Sequence, residues 1–275
     1  MDIVLFFQAV IMGIVEGITE FLPVSSTGHL IVTAELLNFW TKDKRDVFEV
    51  AIQLGAILSV CYEYRVKLIS VIQGLLKNQP AAWRFTLNLL IAFLPAAIIG
   101  FLTIHAIKEH FFNAVTVAMA LVVGGFVILW AEKRTHKIRI HDIDDMKPLD
   151  ALKVGFAQCA ALIPGTSRSG ATIIGGLLFG VSRKVAAEFS FFLAIPTMFA
   201  ATIYDVYKSR DAFAAADFPV FAIGFVVSFI SALLVIRALM RYIANHDFTV
   251  FAYYRIIFGA LILLSSYMGW MNWSA

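Results

Sequence analysis

Apolar runs at about residues 3–22, 47–64, 85–105, 114–131, 151–163, 184–207, 218–240 and 248–270 set the terms on which this chain can fold. A hydrocarbon core about 30 Å thick is crossed by roughly 20 apolar residues in a helix, and most of these runs approach that length. The composition agrees: 60% of residues are hydrophobic, 15% are charged and the mean hydropathy is +0.83. Soluble domains average about 45–50% apolar and about 25% charged. The expectation is an all-α integral membrane protein. The net charge of +3 comes without a basic stripe, so nucleic acid is not an expected partner. Cys61 and Cys159 fall in apolar runs with no metal-ligand pattern around them, and are expected to be buried free thiols. The opening MDIVLFFQAV has no basic segment and no small-residue cleavage site, so a cleaved signal peptide is not expected.

Two polar loops interrupt this pattern, and shorter apolar runs follow them at 26–38 and 169–180. Ten helical elements result. The four pieces that flank the loops are too short to require that each crosses, so they can form two re-entrant hairpins whose tips lie in protein. The loops are also alike. Pro23-Val24-Ser25-Ser26-Thr27-Gly28 matches Pro164-Gly165-Thr166-Ser167-Arg168-Ser169-Gly170 with one residue inserted. Downstream, Phe48-Glu49 corresponds to Phe189-Ser190, and Gly55 to Pro196, at a constant offset of 141. Each half then reads hairpin, span, span, span. Three spans between hairpins invert the second half, giving an inverted-topology repeat of five helical elements each, with six full transmembrane helices plus two re-entrant helical hairpins. Repeat one is expected at about 1–132, a connector at about 133–150 and repeat two at about 151–275.

Charge asymmetry orients this arrangement. One set of connections carries Arg65, Lys67, Lys77, Arg84, Lys133, Arg134, Lys137, Arg139, Lys147, Arg183, Lys184, Arg237 and Arg241. The opposite set carries only Lys42, Lys44, Arg45, Lys108, Lys208 and Arg210. The first set should be cytoplasmic, which places both termini outside. The segment 133–150 should then be a solvated cytoplasmic connector and 209–217 a periplasmic one. The tryptophans, at 40, 83, 130, 270 and 273, all fall at run ends, as an interfacial belt requires.

The first loop lies in EGITEFLPVSSTGHL, residues 16–30. Glu16 and Glu20 are four apart and share a helix face. A charge at membrane depth costs roughly 2.5–3.5 kcal/mol on insertion scales, so two in one turn point to a site rather than to packing. Pro23 should end the first helix, and Ser25, Ser26 and Thr27 should open the second. Two carboxylates on one face suit an oxygen-seeking divalent cation, Mg²⁺ or Ca²⁺, completed by phosphates and water. A structural ion-pair cluster with Arg168 is the plainer alternative. Ser26 and His29, three apart, could be nucleophile and proton-transfer partner. Direct attack by water, or by His29 itself, are the rival routes.

The second loop, PGTSRSGAT, runs from 164 to 172. Gly165 and Gly170 allow close backbone approach, and Thr166, Ser167, Ser169 and Thr172 offer hydroxyls. Arg168 offers a planar fork of donors suited to phosphate oxygens, and the helix that follows presents free N–H groups to an anion. No Walker-type lysine is present, so this is not a nucleotide P-loop. Arg255, about two turns into the last run, is expected to snorkel to the cytoplasmic face, the other option being that it joins the site. A diphosphate head on an apolar tail fits the whole arrangement.

The EGITEFLPVSSTGH and PGTSRSGAT boxes, supported by 48–55 and 182–196, resemble the bacitracin-resistance family of undecaprenyl-diphosphate phosphatases nearly end to end. The resemblance implies hydrolysis of undecaprenyl diphosphate to the monophosphate, which recycles the lipid carrier of cell-wall synthesis. It implies catalytic roles for Glu16, Glu20, Ser26, His29, Ser167, Arg168 and Thr172. With the residues around them it gives an expected site: Ser26, His29, Glu20 and Arg168 for chemistry; Ser25, Thr27, Gly165, Thr166, Ser167, Arg168, Ser169, Gly170 and Thr172 for phosphate; Glu16 and Glu20 for the cation. It further implies a bacterial inner membrane location, dependence on a divalent cation and an active site open to the periplasm. Membrane lipids are the expected surroundings, and a homodimer is an open option. The competing expectation is a transporter or flippase of a polyprenyl phosphate lipid, because inverted repeats with broken helices are also a transporter design. A membrane scaffold without chemistry leaves the buried charges unexplained.

Overall fold

A computed structural model describes residues 2–208 and 217–269. Most of the expected connector at 209–217, and the tryptophans at 270 and 273, lie outside the described residues. The described chain is helical: α1 Ile3–Thr19, α2 Ser26–Leu37, α3 Lys42–Glu63, α4 Arg65–Leu76, α5 Pro80–Phe111, α6 Ala114–Glu132, α7 Pro148–Cys159, α8 Arg168–Leu178, α9 Arg183–Lys208, α10 Phe218–Ile243 and α11 Thr249–Tyr267. The only β feature among these residues is a single bridge between Ile140 and Val181.

Among the described residues five helices are long and apolar enough to cross a membrane: α5, α6, α9, α10 and α11. The sixth candidate is α3 with α4, bent by 74° at Tyr64. α4 falls where the sequence pattern predicts only a loop. Its 12 residues carry Val66, Ile69, Ile72 and Leu76 outward, too few to register as an apolar run. α1 is apolar but only 17 residues long, and α2, α7 and α8 are shorter still. Large apolar side chains such as Leu102, Phe101, Phe126 and Leu234 face outward, an area of exposed hydrocarbon that only lipid covers well. The protein is a multi-pass membrane protein.

Inside, small residues bring backbones together as is usual where lipid removes the hydrophobic drive between helices. A Cβ on Gly17 of α1 would sit 2.6 Å from the Ser228 carbonyl of α10. A Cβ on Gly155 of α7 would sit 2.5 Å from the Ala92 carbonyl of α5. The pairings correspond across the two halves: α1 lies on α2 and α10, α7 lies on α8 and α5, while α3 meets α9 and α6 meets α11.

α1 ends at Thr19, ahead of Pro23 as expected, since the proline has no N–H to bond the Thr19 carbonyl and its ring crowds it, and Glu20 is the cap. Two expectations change. The connector 133–150 is anchored rather than merely solvated: Ile140, Met146 and Asp150 are buried, Asn88 Nδ2 donates to the Met146 carbonyl at 2.8 Å, and Lys67 pairs with Asp144 at 2.7 Å. Cys61 and Cys159 are free but half-buried rather than buried.

Candidate active site

The two loop tips meet inside the protein. Each opens its helix in the same way. Ser25 stands at φ 72 and caps α2, its Oγ accepting from Gly28 N–H at 3.5 Å. Ser167 stands at φ 75 and caps α8, its Oγ accepting from Gly170 N–H at 3.0 Å. Positive φ at a non-glycine residue costs about 1–3 kcal/mol and persists only where surrounding contacts enforce it. Here the enforcing contacts tie the loops together. Ser169 Oγ donates to the Leu22 carbonyl at 2.8 Å. Gly165, at φ 90, packs so closely on α6 that a Cβ would meet the Val117 carbonyl at 2.4 Å.

Arg255 completes the junction. It does not snorkel. Its side chain is 1% exposed, and its guanidinium donates to the Pro23 carbonyl of the first loop and the Gly165 carbonyl of the second, both at 3.1 Å. It also donates to Ala120 and Leu121 carbonyls of α6 at 3.1 and 3.2 Å. Snorkelling to the cytoplasmic face fails because residue 255 sits on the α11 face that packs against α6 and the loop tips. Gly124 leaves the room the guanidinium occupies, since a Cβ there would lie 2.1 Å from Nη2.

At this junction Ser26, Glu20 and Arg168 form one hydrogen-bonded chain. Ser26 Oγ donates to Glu20 Oε2 at 2.5 Å, and Arg168 Nη2 donates to Glu20 Oε1 at 2.9 Å. Arg168 is held from behind by α9: Nη1 donates to the Ser190 carbonyl at 2.9 Å and to Ser190 Oγ at 3.3 Å. Thr172 and Ser190 hydroxyls lie 2.7 Å apart, and Thr172 Oγ1 donates to the Arg168 carbonyl at 2.9 Å. Thr172 thus steadies the Arg168 segment rather than presenting a free hydroxyl. Arg168 Nε is buried without a partner among the described residues.

His29 is not on Ser26. Its Nδ1 lies 2.7 Å from the Ser25 carbonyl, which can only accept, so Nδ1 carries the proton and donates. In the neutral ring, Nε2 accepts from the Tyr254 hydroxyl at 2.6 Å. The imidazole is stacked on Phe258 at 4.3 Å. The i, i+3 spacing put Ser26 and His29 on one helix surface, but the ring turns to α11 while the serine turns back to Glu20.

Glu16 has no exposed surface and neither carboxylate oxygen has a hydrogen-bond partner among the described residues. A buried carboxylate in that state lacks its counter-charge. It lies one turn from Glu20, so the pair fits an oxygen-seeking cation on the donor chemistry. No group of three or more His, Cys, Asp or Glu side chains clusters among the described residues, so a cation there would draw its remaining ligands from substrate and water.

Thr27 and Thr166 are half-buried, and their hydroxyls make no hydrogen bond among the described residues. Ser25, Ser167, Ser169 and Gly165 are occupied in building the junction. Sequence reasoning missed Ser190, Tyr254 and Met198, whose Sδ lies 3.6 Å from Arg168 Nη2. Ser190 was the one with a signal, as a hydroxyl at the position equivalent to Glu49.

A family profile for the bacitracin resistance protein BacA matches residues 9–261. The chain is 61% identical over 274 residues to the undecaprenyl-diphosphatase of Nitrosospira multiformis, and 61% identical over 277 residues to that of Laribacter hongkongensis. It is 59% identical over 275 residues to undecaprenyl-diphosphatase 2 of Rhodospirillum rubrum, and in all three cases both chains are covered end to end. With a profile match across nearly its whole length, the chain belongs to the bacitracin resistance protein BacA family.

Proposed function

We propose that the chain is an undecaprenyl-diphosphate phosphatase that releases inorganic phosphate and leaves undecaprenyl phosphate. The observation that carries this is the buried chain Ser26–Glu20–Arg168, a hydroxyl on a carboxylate on a guanidinium, assembled from both loops. The relatives bearing that enzyme name match this chain at about 60% identity over their full length.

Ser26 is the nucleophile and Glu20, at 2.5 Å, its base. Ser26 Oγ bonds to the terminal phosphorus as its proton passes to Glu20. The bond from that phosphorus to the bridging oxygen breaks, and the lipid monophosphate leaves with the electron pair. Water then hydrolyses the phosphoserine, and Glu20 returns its proton to Ser26 Oγ. Arg168 steadies the charge on the phosphoryl oxygens, aided by the first-turn amides of α2 and α8 other than those of Gly28 and Gly170, which bond the capping serines, and by the hydroxyls of Thr27 and Thr166. His29 holds the Ser25 carbonyl, and through it the turn that aims Ser26. A divalent cation, Mg²⁺ or Ca²⁺, held by Glu16 with Glu20, would neutralise phosphate charge and polarise a phosphoryl oxygen.

The architecture belongs to the same proposal: two inverted repeats, about 1–132 and 151–275, with six spans and two re-entrant hairpins, α1–α2 and α7–α8. The matched cap geometry and corresponding helix pairings support it. The cation excess on one set of connections supports a cytoplasmic 133–150 and, with the inverted repeats, a site open to the periplasm. The BacA profile and the names of the relatives support an inner-membrane role in recycling the cell-wall lipid carrier that underlies bacitracin resistance. Purified protein given a C55 diphosphate in detergent should release phosphate. Lipid movement in vesicles with no phosphate release would instead favour the flippase.

A further inference from the structure

A strongly basic concavity lies away from the active site, where the connector crosses the end of α8. A cavity of about 590 Å³ is ringed by Arg134, His136, Lys137, Arg139 and Lys153 and floored by Phe179 and Gly180. One carboxylate, Asp150, reaches into this set, and it is committed to Arg139 and to the Lys147 N–H. Arg134, Lys137 and Lys153 form no ion pair among the described residues, Lys153 acting on Asp150 only through its charge.

The site is built rather than frayed. The Arg139 and Ile140 N–H groups both donate to the Gly180 carbonyl, at 2.9 and 3.2 Å, and Ser182 N–H donates to the Ile140 carbonyl at 3.0 Å. These bonds stitch the connector to the turn after α8. Gly180 stands at φ 85, and a Cβ there would come 2.9 Å from the Lys137 carbonyl. The cations are also positioned. Arg134 lies 4.4 Å from the Trp130 ring centroid, Lys153 lies 5.9 Å from that of Phe179, and Arg139 donates to the Phe179 carbonyl at 3.0 Å. Ring faces and carbonyls hold these groups without cancelling their charge.

Next to the cations the surface is apolar. Leu149, Lys153 and Phe156 fall on one face of α7, and Leu149 and Phe156 are 61% and 59% exposed. Trp130 is also half exposed. A cluster of fixed cations beside exposed hydrocarbon matches a ligand with a phosphate head and an acyl tail. Anionic phospholipids are drawn to basic pockets of this kind at the membrane surface.

We propose that this cavity binds the headgroup phosphate of one anionic phospholipid, with an acyl chain lying along Leu149 and Phe156. The lipid clamps the connector to the C-terminal end of α8, the helix whose first residue is Arg168. The inference is independent of the reaction assigned to the chain.

The test is native mass spectrometry of the delipidated protein with added phosphatidylglycerol, cardiolipin or phosphatidylcholine, together with thermal unfolding in the same lipids. Wild type should retain one anionic lipid with at least about tenfold preference over phosphatidylcholine. The Arg134→Gln/Lys137→Gln/Lys153→Gln triple variant should lose that preference, as Lys153→Gln alone should in part. Removing three cations elsewhere, by Arg65→Gln/Lys77→Gln/Arg84→Gln, should leave it intact. Equal loss in both triple variants, or retention in the first, overturns the proposal. Stabilisation of wild type by inorganic phosphate alone, equal to that by anionic lipid, also overturns it.

Discussion

Ser25 and Ser167, one at each loop tip, adopt the same left-handed backbone and cap their helices through the same contact, Oγ to the amide three residues on. Each serine therefore combines a favourable cap with an unfavourable φ. Replacing it by Ala removes the cap, worth about 1 kcal/mol, and keeps the strain. Replacing it by Gly removes the cap and relieves the strain. Ser25→Gly and Ser167→Gly should thus unfold at higher temperature than the matching Ala variants. The reverse order would show that φ is not a source of strain at these turns.

The 2.5 Å contact between Ser26 and Glu20 sets the second prediction. Glu20→Gln keeps the shape and removes the base, and should lower turnover by about 10²–10⁴-fold. Ser26→Ala should be near-dead while folding normally, and a trapped phosphoryl group in wild type should map to Ser26. Substantial turnover by Ser26→Ala, with solvent ¹⁸O entering phosphate in a single turnover, would assign the attack to water. A phosphoryl group on His29 would assign it to the imidazole.

Glu16 carries two consequences of opposite sign. As an unpartnered buried carboxylate it destabilises the protein without a cation, and as a ligand it stabilises the protein with one. Glu16→Gln should raise the unfolding temperature in chelator, remove the further rise given by Mg²⁺ or Ca²⁺, and cut activity by about 10²-fold or more. An unchanged cation response in the variant would exclude Glu16 as a ligand.

Much of the fold was legible because lipid makes the rules severe: α6, α9 and α10 begin and end within a few residues of their apolar runs. The two helix starts were legible because hydroxyl residues behind a proline, Ser25, Ser26 and Thr27 after Pro23 and the run after Pro164, are a local signal, but which serine caps was not. α4 was not, since a 12-residue helix that mixes Arg65, Lys67 and Gln73 with its apolar residues has the mixed polarity of a loop. The partner of Ser26 was not either. Its bond to Glu20 crosses the turn that Pro23 creates, and helical spacing says nothing about distances across a turn. Arg255 was seen as a buried-charge problem but given the solution that needs least structure. What it touches are main-chain carbonyls of Pro23, Gly165, Ala120 and Leu121, which no side-chain pattern marks.

Asp150 gives the pH prediction. Burial would raise its carboxyl, but the Arg139 hydrogen bond, the Lys147 N–H and the charges of Arg139 and Lys153 outweigh this and hold it below the usual aspartate range. A carboxyl lowered by folding contributes stability above its unfolded value, about 3.9, and loses it as pH falls through the lower folded value. Arg139 is half exposed, so the contribution is discounted to about 1–2 kcal/mol. Asp150→Asn should unfold earlier than wild type at pH 7, with the gap unchanged down to about pH 5 and closing well below pH 4. A gap that persists unchanged into strong acid would show that charge at Asp150 is not its source.

Arg255 donates to main-chain carbonyls of both loops, and its role is positional. A guanidinium has five donors in a fixed plane, and here it meets four carbonyls on three chain segments. Lysine keeps the charge but has three donors on a point, so Arg255→Lys cannot reach Pro23 and Gly165 at once. Each buried carbonyl left without its donor costs about 1–3 kcal/mol, and slack between the loops separates Arg168 from Ser26. Arg255→Lys should therefore lower both the unfolding temperature and the turnover, while Ser26 and Glu20 remain chemically intact. Gly124→Ala offers an independent route to the same fault, since its Cβ would press on the guanidinium at 2.1 Å. If both act through this one contact, the double variant Arg255→Lys/Gly124→Ala loses less than the sum of the singles, because the slimmer ammonium makes room for the methyl group. A double-mutant cycle on unfolding and on phosphate release measures that coupling, which for residues in contact is about 0.5–3 kcal/mol. Strict additivity in both would mean that Gly124 and Arg255 act separately, and that the guanidinium does not hold the two loops in register.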